Sequence, residues 1–285
     1  MPAGHVPIGD TRLFIEERGR GYPLLVLHGG PGLDHHMFGD YLDPLGEGLR
    51  LIFVDQRSQG RSDPAPPETW SIGQMAADVG ALAEALQLDR FAVLGHSYGA
   101  LVALQHAVDF PGEAAQTIVS SGFPSAKYLA HVDAQLASFQ PERLRDQVTA
   151  SWEREKTAAT REQVAALLHD QMPFHFADPL DPRLAEYERR SGGVVASPEV
   201  LRHFANLEYG GIDVEARLGR VIQPALVLAG AHDRVVPVAA AQAIADGVQR
   251  GELVVFESSG HMTFVEENEH YLDVVAGFLA RHARL

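Results

Sequence analysis

Six short runs along the chain are apolar or nearly so: Leu24-Leu25-Val26-Leu27, Leu51-Ile52-Phe53-Val54, Phe91-Ala92-Val93-Leu94, Gln116-Thr117-Ile118-Val119, Ala225-Leu226-Val227-Leu228 and Leu253-Val254-Val255-Phe256. Runs this short, without polar alternation, suit strands buried on both faces of a parallel sheet. Between them the period changes. Ile72, Met75, Val79, Leu82 and Leu86 recur every three or four residues, as one face of a helix does. Leu101, Leu104 and Val108 repeat that spacing before Pro111 stops it, and Leu272, Val275, Phe278 and Leu279 mark a closing helix. Strand and helix in alternation predict an α/β fold with a doubly wound, mostly parallel sheet. Residues 6–15, with Gly9-Asp10 as the turn, predict an antiparallel hairpin at the sheet edge.

The rhythm breaks over residues 123–215, where no buried strand is expected. Leu129, Val132, Leu136 and Phe139 have helical spacing, as do Val164, Leu167 and Leu168, and loops around Pro173, Pro179, Pro182 and Pro198 separate the pieces. The simplest account is a helical cap at 123–215 inserted into one catalytic domain, residues 1–122 and 216–285. The cap aromatics Tyr128, Phe139, Trp152, Phe174, Phe176, Phe204 and Tyr209 are expected to form its own small core, with one or two facing a substrate.

Composition narrows the function classes. The 285 residues are 46% hydrophobic and 21% charged, an ordinary globular balance that excludes general disorder. The absence of cysteine excludes disulfides, thiolate catalysis and cysteine-ligated metal centres. A net charge of −15 would repel a phosphate backbone, so no nucleic-acid partner is expected. No run approaches the ~20 apolar residues of a membrane span. The start, Met1-Pro2-Ala3-Gly4-His5-Val6-Pro7, has neither a basic flank nor an apolar stretch, so no signal peptide is expected and a cytoplasmic location is.

Gly95-His96-Ser97-Tyr98-Gly99 lies between a strand and a helix, the context in which G-x-S-x-G presents a nucleophilic serine on a tight turn. A serine hydroxyl needs a base, and the base an orienting acid. Asp233 stands just past the run at 225–228, and His261 stands in the loop after 253–256. The chain order Ser97, Asp233, His261 is that of an α/β-hydrolase triad, with each residue past the carboxyl end of a strand. Among the other histidines, of which the chain has 14 in all, His96 is expected behind the turn, His232 in a loop and His270 on the last helix. The other acid position, after Val119, holds Ser120, Ser121 and Gly122 and no carboxylate. The glycine-rich loop His28-Gly29-Gly30-Pro31-Gly32 supplies backbone N–H groups for an oxyanion hole. Gly30 and Tyr98 are the assigned donors, with Gly29 as the alternative to Gly30. Neither a dinucleotide nor a P-loop fingerprint is present, and no cofactor is expected. Asp34-His35-His36 reads as loop rather than metal site. Asp55 and Arg57 read as a structural ion pair or as ligands of backbone carbonyls.

His28-Gly29-Gly30-Pro31-Gly32, Asp55-Gln56-Arg57-Ser58-Gln59-Gly60-Arg61-Ser62 and Gly95-His96-Ser97-Tyr98-Gly99 resemble the α/β-hydrolase family, and within it the proline iminopeptidase branch. The likeness covers about residues 6–122 and 216–285. It implies an eight-stranded sheet, a cap inserted after the sixth strand and a Ser–His–Asp mechanism without cofactor. It also implies acidic cap side chains that hold the substrate's free amine, for which Glu208 is the candidate, and His35 is expected at the pocket rim. The chain departs from the branch in three places: His96 and Tyr98 flank the serine where many relatives have glycine and tryptophan, Ser58 replaces a glycine, and Arg234 follows Asp233 with the wrong charge for an ammonium group. The expected activity is that of a serine hydrolase acting on a small molecule or short peptide through an acyl-enzyme, first of all a prolyl aminopeptidase. A carboxylesterase or lactonase is the alternative, and a hydroxynitrile lyase uses the same triad. A non-catalytic binding module would lack a triad member, and all three are present.

Overall fold

The computed structural model describes residues 3–282; Met1 and Pro2, from the stretch read above for a leader, and residues 283–285 lie outside the described residues. Eight strands form one sheet: β1 (Ala3–Pro7), β2 (Arg12–Gly19), β3 (Tyr22–Leu27), β4 (Leu49–Val54), β5 (Ala92–His96), β6 (Gln116–Ser120), β7 (Ala225–Gly230) and β8 (Gly251–Phe256). Their order is β1-β2-β4-β3-β5-β6-β7-β8. β2 runs antiparallel to both its neighbours, β1 and β4, and the strands β3 to β8 are all parallel.

The continuous apolar runs are explained by two cores, one on each face. Leu25, Leu27, Ile52, Val54, Val93, Val119 and Val227 point to one side. There they meet α1 (Ile72–Ala85), which Ser71 caps, and α2 (Tyr98–Asp109). Leu24, Val26, Leu51, Phe53, Leu94, Ile118, Leu226 and Leu228 point to the other side. β8 differs from expectation: Leu253, Val254 and Val255 are only half-buried, because β8 pairs with β7 alone and forms the sheet edge.

Between β6 and β7 the chain runs through α3 (Ala130–Ser138), α4 (Glu142–Glu155), α5 (Arg161–His175), α6 (Arg183–Arg190) and α7 (Pro198–Ala205). Its two ends meet in a neck where Ser125 bridges Asp213 and the Val214 N–H donates to the Pro124 carbonyl. The prolines here do not all mark loops. Pro198 opens α7, where its missing N–H costs nothing, and Pro173 lies inside α5 near its end. The chain past Pro173 is held by the fully buried Phe174 and Phe176. The chain then returns through α8 (Val238–Gly247), α9 (Thr263–Glu266) and α10 (Asn268–His282), whose Tyr271, Val275 and Phe278 close the second core. Among the described residues no helix is long and apolar enough to cross a membrane.

Candidate active site

The sheet order reverses between β3 and β5, so the loops leaving these two neighbours diverge into a crevice. Leu27 pairs with Gly95 in register, which brings the glycine loop at 28–32 beside Ser97. Ser97 has φ 53° and ψ −118°, a strained conformation that lifts its side chain out of the turn, and its N–H is tied to the Ser120 carbonyl at 2.8 Å. The flanking glycines are required sterically. A Cβ on Gly95 would lie 2.1 Å from the Gly99 carbonyl oxygen, and one on Gly99 would lie 2.3 Å from that of Leu27.

The three residues named from chain order come together. His261 Nε2 lies 2.9 Å from Ser97 Oγ, and His261 Nδ1 lies 2.8 Å from Asp233 Oδ2. The side chains of Asp233 and His261 are almost wholly buried. The second carboxylate oxygen of Asp233 accepts the N–H groups of Val235 at 2.7 Å and Val236 at 2.9 Å. These two donors occupy Oδ1 and leave Oδ2 to accept from His261 Nδ1, so Nε2 presents its lone pair to the serine hydroxyl.

A cavity of about 1360 Å³ opens over Ser97, and Gly30, Tyr98 and His261 line it. The Gly29 N–H is engaged by Met37 Sδ at 2.8 Å. The N–H groups of Gly30 and Tyr98 donate to no protein acceptor among the described residues. Glu208 lines the cavity with an exposed side chain.

Other expectations need correction. His35 is not at the pocket rim: it is fully buried, its Nδ1 lies 2.5 Å from Asp55 Oδ1, and it does not line the cavity. Burial opposes its charged form, but the Asp55 carboxylate outweighs burial and raises its pKa. Asp55 and Arg57 do not pair with each other. Arg57 is gripped bidentately by Asp78 and by Asp10, whereas Asp55 serves His35 and the Arg61 N–H. Asp34, His35 and His36 bring ligand-type atoms within 4.8 Å of one another. The Arg61 guanidinium already supplies the cation there, 2.8 Å from Asp34 Oδ2 and 3.2 Å from His36 Nδ1. Ser58 sits at φ 60°, which is why glycine suits this position, and its hydroxyl is retained as acceptor of the Ala65 and Trp70 N–H groups.

Arg234 does not face the cavity either. Its guanidinium reaches back to the carbonyls of Phe176 at 2.5 Å and Ala177 at 2.9 Å, tying the end of α5 to the loop that carries Asp233. His96 is fully buried behind the elbow with Nδ1 3.2 Å from Ser120 Oγ, and burial lowers its pKa well below the usual range.

Two pocket residues have no counterpart among the sequence candidates. Glu155, on α4, is buried and accepts from Gln171 Nε2 and from the Tyr209 hydroxyl; burial raises its pKa. His175 ends α5 beside His261. A signal for Glu155 does exist, since Val148, Ser151 and Glu155 share the buried face of α4 at steps of three and four. A face half polar in composition does not announce itself as apolar period.

Glu266 carries a testable pH dependence. It accepts the Ala177 N–H at 2.7 Å and the Gly260 N–H at 2.8 Å, and burial, only partly offset by these bonds, pushes its pKa up to about 7. A carboxyl that binds its proton more tightly folded than unfolded stabilises the fold fully at low pH. That contribution is lost as pH rises from about 4.5 to 7, by up to roughly 3 kcal/mol. Urea midpoints for wild type and Glu266→Gln across pH 4–8 should therefore converge or cross as pH rises. A difference independent of pH would refute the assignment.

A family model described as alpha/beta hydrolase fold matches residues 22–268. A proline iminopeptidase of Clostridium botulinum is 29% identical over 280 residues, covering 95% of this chain and 94% of that protein. An alpha/beta fold family hydrolase from Bacillus anthracis superposes with a TM-score of 0.80 at 22% identity over 98% of each chain. A proline iminopeptidase of Mycobacterium smegmatis superposes with a TM-score of 0.74 at 25% identity, again over 98% of each.

Proposed function

This chain belongs to the α/β-hydrolase fold family, and from that premise we propose that it is a cofactor-independent serine hydrolase that removes an N-terminal proline or similar residue from short peptides. The observation that carries the reading is the unbroken hydrogen-bonded chain Asp233–His261–Ser97 at the floor of an acid-lined cavity. Ser97 Oγ attacks the substrate carbonyl while His261 Nε2 takes its proton, and Asp233 stabilises the imidazolium so formed. The free N–H groups of Gly30 and Tyr98 receive the oxyanion. His261 then returns the proton to the leaving nitrogen, and the amine departs. In the second half, His261 removes a proton from water, whose oxygen attacks the acyl carbon and releases the acid and Ser97.

Charge favours a substrate with a free amine. The lining carries Asp133, Glu153, Glu155, Glu188 and Glu208 against Lys127 and Lys156, and Lys127 is already paired with Glu215 at 2.7 Å. Glu155, buried and bonded to no arginine or lysine among the described residues, gains from a cation brought by the substrate. Glu208 is the second carboxylate of this subsite. Residues 123–215 act as the cap that presents these groups over the catalytic domain, 1–122 and 216–285. The C. botulinum and M. smegmatis proline iminopeptidases support the same reading.

Proline p-nitroanilide, its N-acetylated form and p-nitrophenyl acetate test this. Cleavage of the anilide, with kcat/KM falling about a hundredfold on acetylation, is the expected result for an amine held by the cap carboxylates. Turnover confined to the ester would replace this reading with the esterase alternative.

A further inference from the structure

The mechanism above gives no task to His175, a polar group that lines the pocket beside His261. His175 closes α5, and its Nδ1 lies 3.0 Å from the Gln171 carbonyl oxygen one helical turn back. That nitrogen can bond a carbonyl only by carrying the hydrogen, so Nε2 holds the lone pair, and Nε2 has no protein partner among the described residues. The ring lines the cavity, stands edge-on to the His261 ring at 5.3 Å and lies parallel to the Trp152 indole at 6.2 Å.

Both ends of this placement are fixed. The His175 carbonyl accepts the His261 N–H at 2.7 Å, so the backbone of one histidine is bonded to the backbone of the other. The next residues are held by Arg234 on the Phe176 and Ala177 carbonyls and by Glu266 on the Ala177 N–H. Burial, and then the proximity of His261, pushes the His175 pKa down to about 4. The ring is thus a neutral acceptor at neutral pH and too weak a base to share the work of His261.

Where it accepts follows from the reaction. His261 must deliver its proton to the leaving atom, so that atom sits within hydrogen-bond reach of His261 Nε2, in the part of the pocket that His175 borders. A leaving nitrogen differs from a leaving oxygen in already bearing a hydrogen. For nitrogen to turn its lone pair toward His261, that hydrogen must point elsewhere, and in a closed site it needs an acceptor. We propose that His175 Nε2 accepts the hydrogen on the leaving-group nitrogen, holding the nitrogen lone pair toward His261 and so specialising the site for amides of primary amines over esters. The bond is complete only once the scissile carbon is tetrahedral, so it lowers the barrier rather than merely tightening binding. This deepens the hydrolase reading, on which it rests, by naming the leaving group.

Proline p-nitroanilide and proline benzyl ester share the acyl group and the free amine and form the same acyl-enzyme, so the ratio of their kcat/KM values isolates the leaving group and cancels any general loss of folded enzyme. His175→Phe should lower the anilide-to-ester ratio of kcat/KM about tenfold, the worth of one hydrogen bond in the transition state. His175→Gln, which retains an acceptor oxygen, should recover part of the ratio. Equal losses on the two substrates, or an unchanged ratio, in a series whose wild type cleaves both would overturn this inference alone. A wild type that cleaves no prolyl anilide would overturn the aminopeptidase reading together with it.

Discussion

Replacing Ser97 with alanine is expected to lower kcat on every accepted substrate by about 10⁶, the scale of loss when a triad nucleophile is removed, and to abolish labelling by a fluorophosphonate. The size of the effect follows from the lack of a substitute. Ser121 also lines the pocket and is also held at positive φ, yet its hydroxyl donates to the His261 carbonyl at 3.0 Å and is committed to positioning the base. Among the described residues, only Ser97 Oγ stands against His261 Nε2. Alanine at 97 inherits the same φ of 53° and loses only a hydroxyl, so folding and chemistry separate cleanly. Unfolding midpoints close to wild type should accompany the collapse in kcat. Intact-mass and peptide mapping of the labelled wild type should find the phosphonyl group on Ser97, and a label on Ser121 or elsewhere would sink the assignment.

What could be read without a structure was whatever a short segment determines by itself. Five of the six apolar runs announce buried strands because both of their faces are apolar, the edge strand β8 being the exception, and the elbow is legible because a strand, a glycine pair and the start of a helix follow one another directly. Asp233 and His261 are legible for a related reason: parallel strands put all their carboxyl ends on one side, so position after a strand already implies proximity. Side-chain direction in the loops is not set locally. His35 turns inward because Asp55 waits 20 residues later, and Arg234 turns away from the cavity because carbonyls at 176 and 177 need a donor. No window around either residue contains its partner. The pocket walls are the hardest case. Glu155 faces the cavity because α4 packs against α5, and the bond from Gln171 to Glu155 exists only in that packing.

Asp233→Asn should lower kcat by about 10⁴ while leaving a folded protein, and the cause is directional rather than a matter of volume. The Asp233 carboxylate makes three bonds and is acceptor in all of them: to the Val235 and Val236 N–H groups through one oxygen, and to His261 Nδ1 through the other. Asparagine has one oxygen and one NH₂ for the same three partners. With the oxygen on the two backbone donors, its NH₂ meets His261 Nδ1, which must then give up its hydrogen. The hydrogen moves to Nε2, where it faces Ser97 Oγ and can no longer receive the serine proton. Turning the amide over restores the tautomer only by setting an NH₂ against two N–H donors in a buried site, at a cost of about 1–3 kcal/mol for each donor left unsatisfied. The first orientation therefore wins, and the protein keeps its fold at the expense of its base. Substrate affinity should change far less than kcat, since nothing in the cap is touched. An Asp233→Asn variant within tenfold of wild-type kcat would mean that the carboxylate neither fixes the imidazole nor stabilises its cation, and the catalytic role of this buried pair would have to be abandoned.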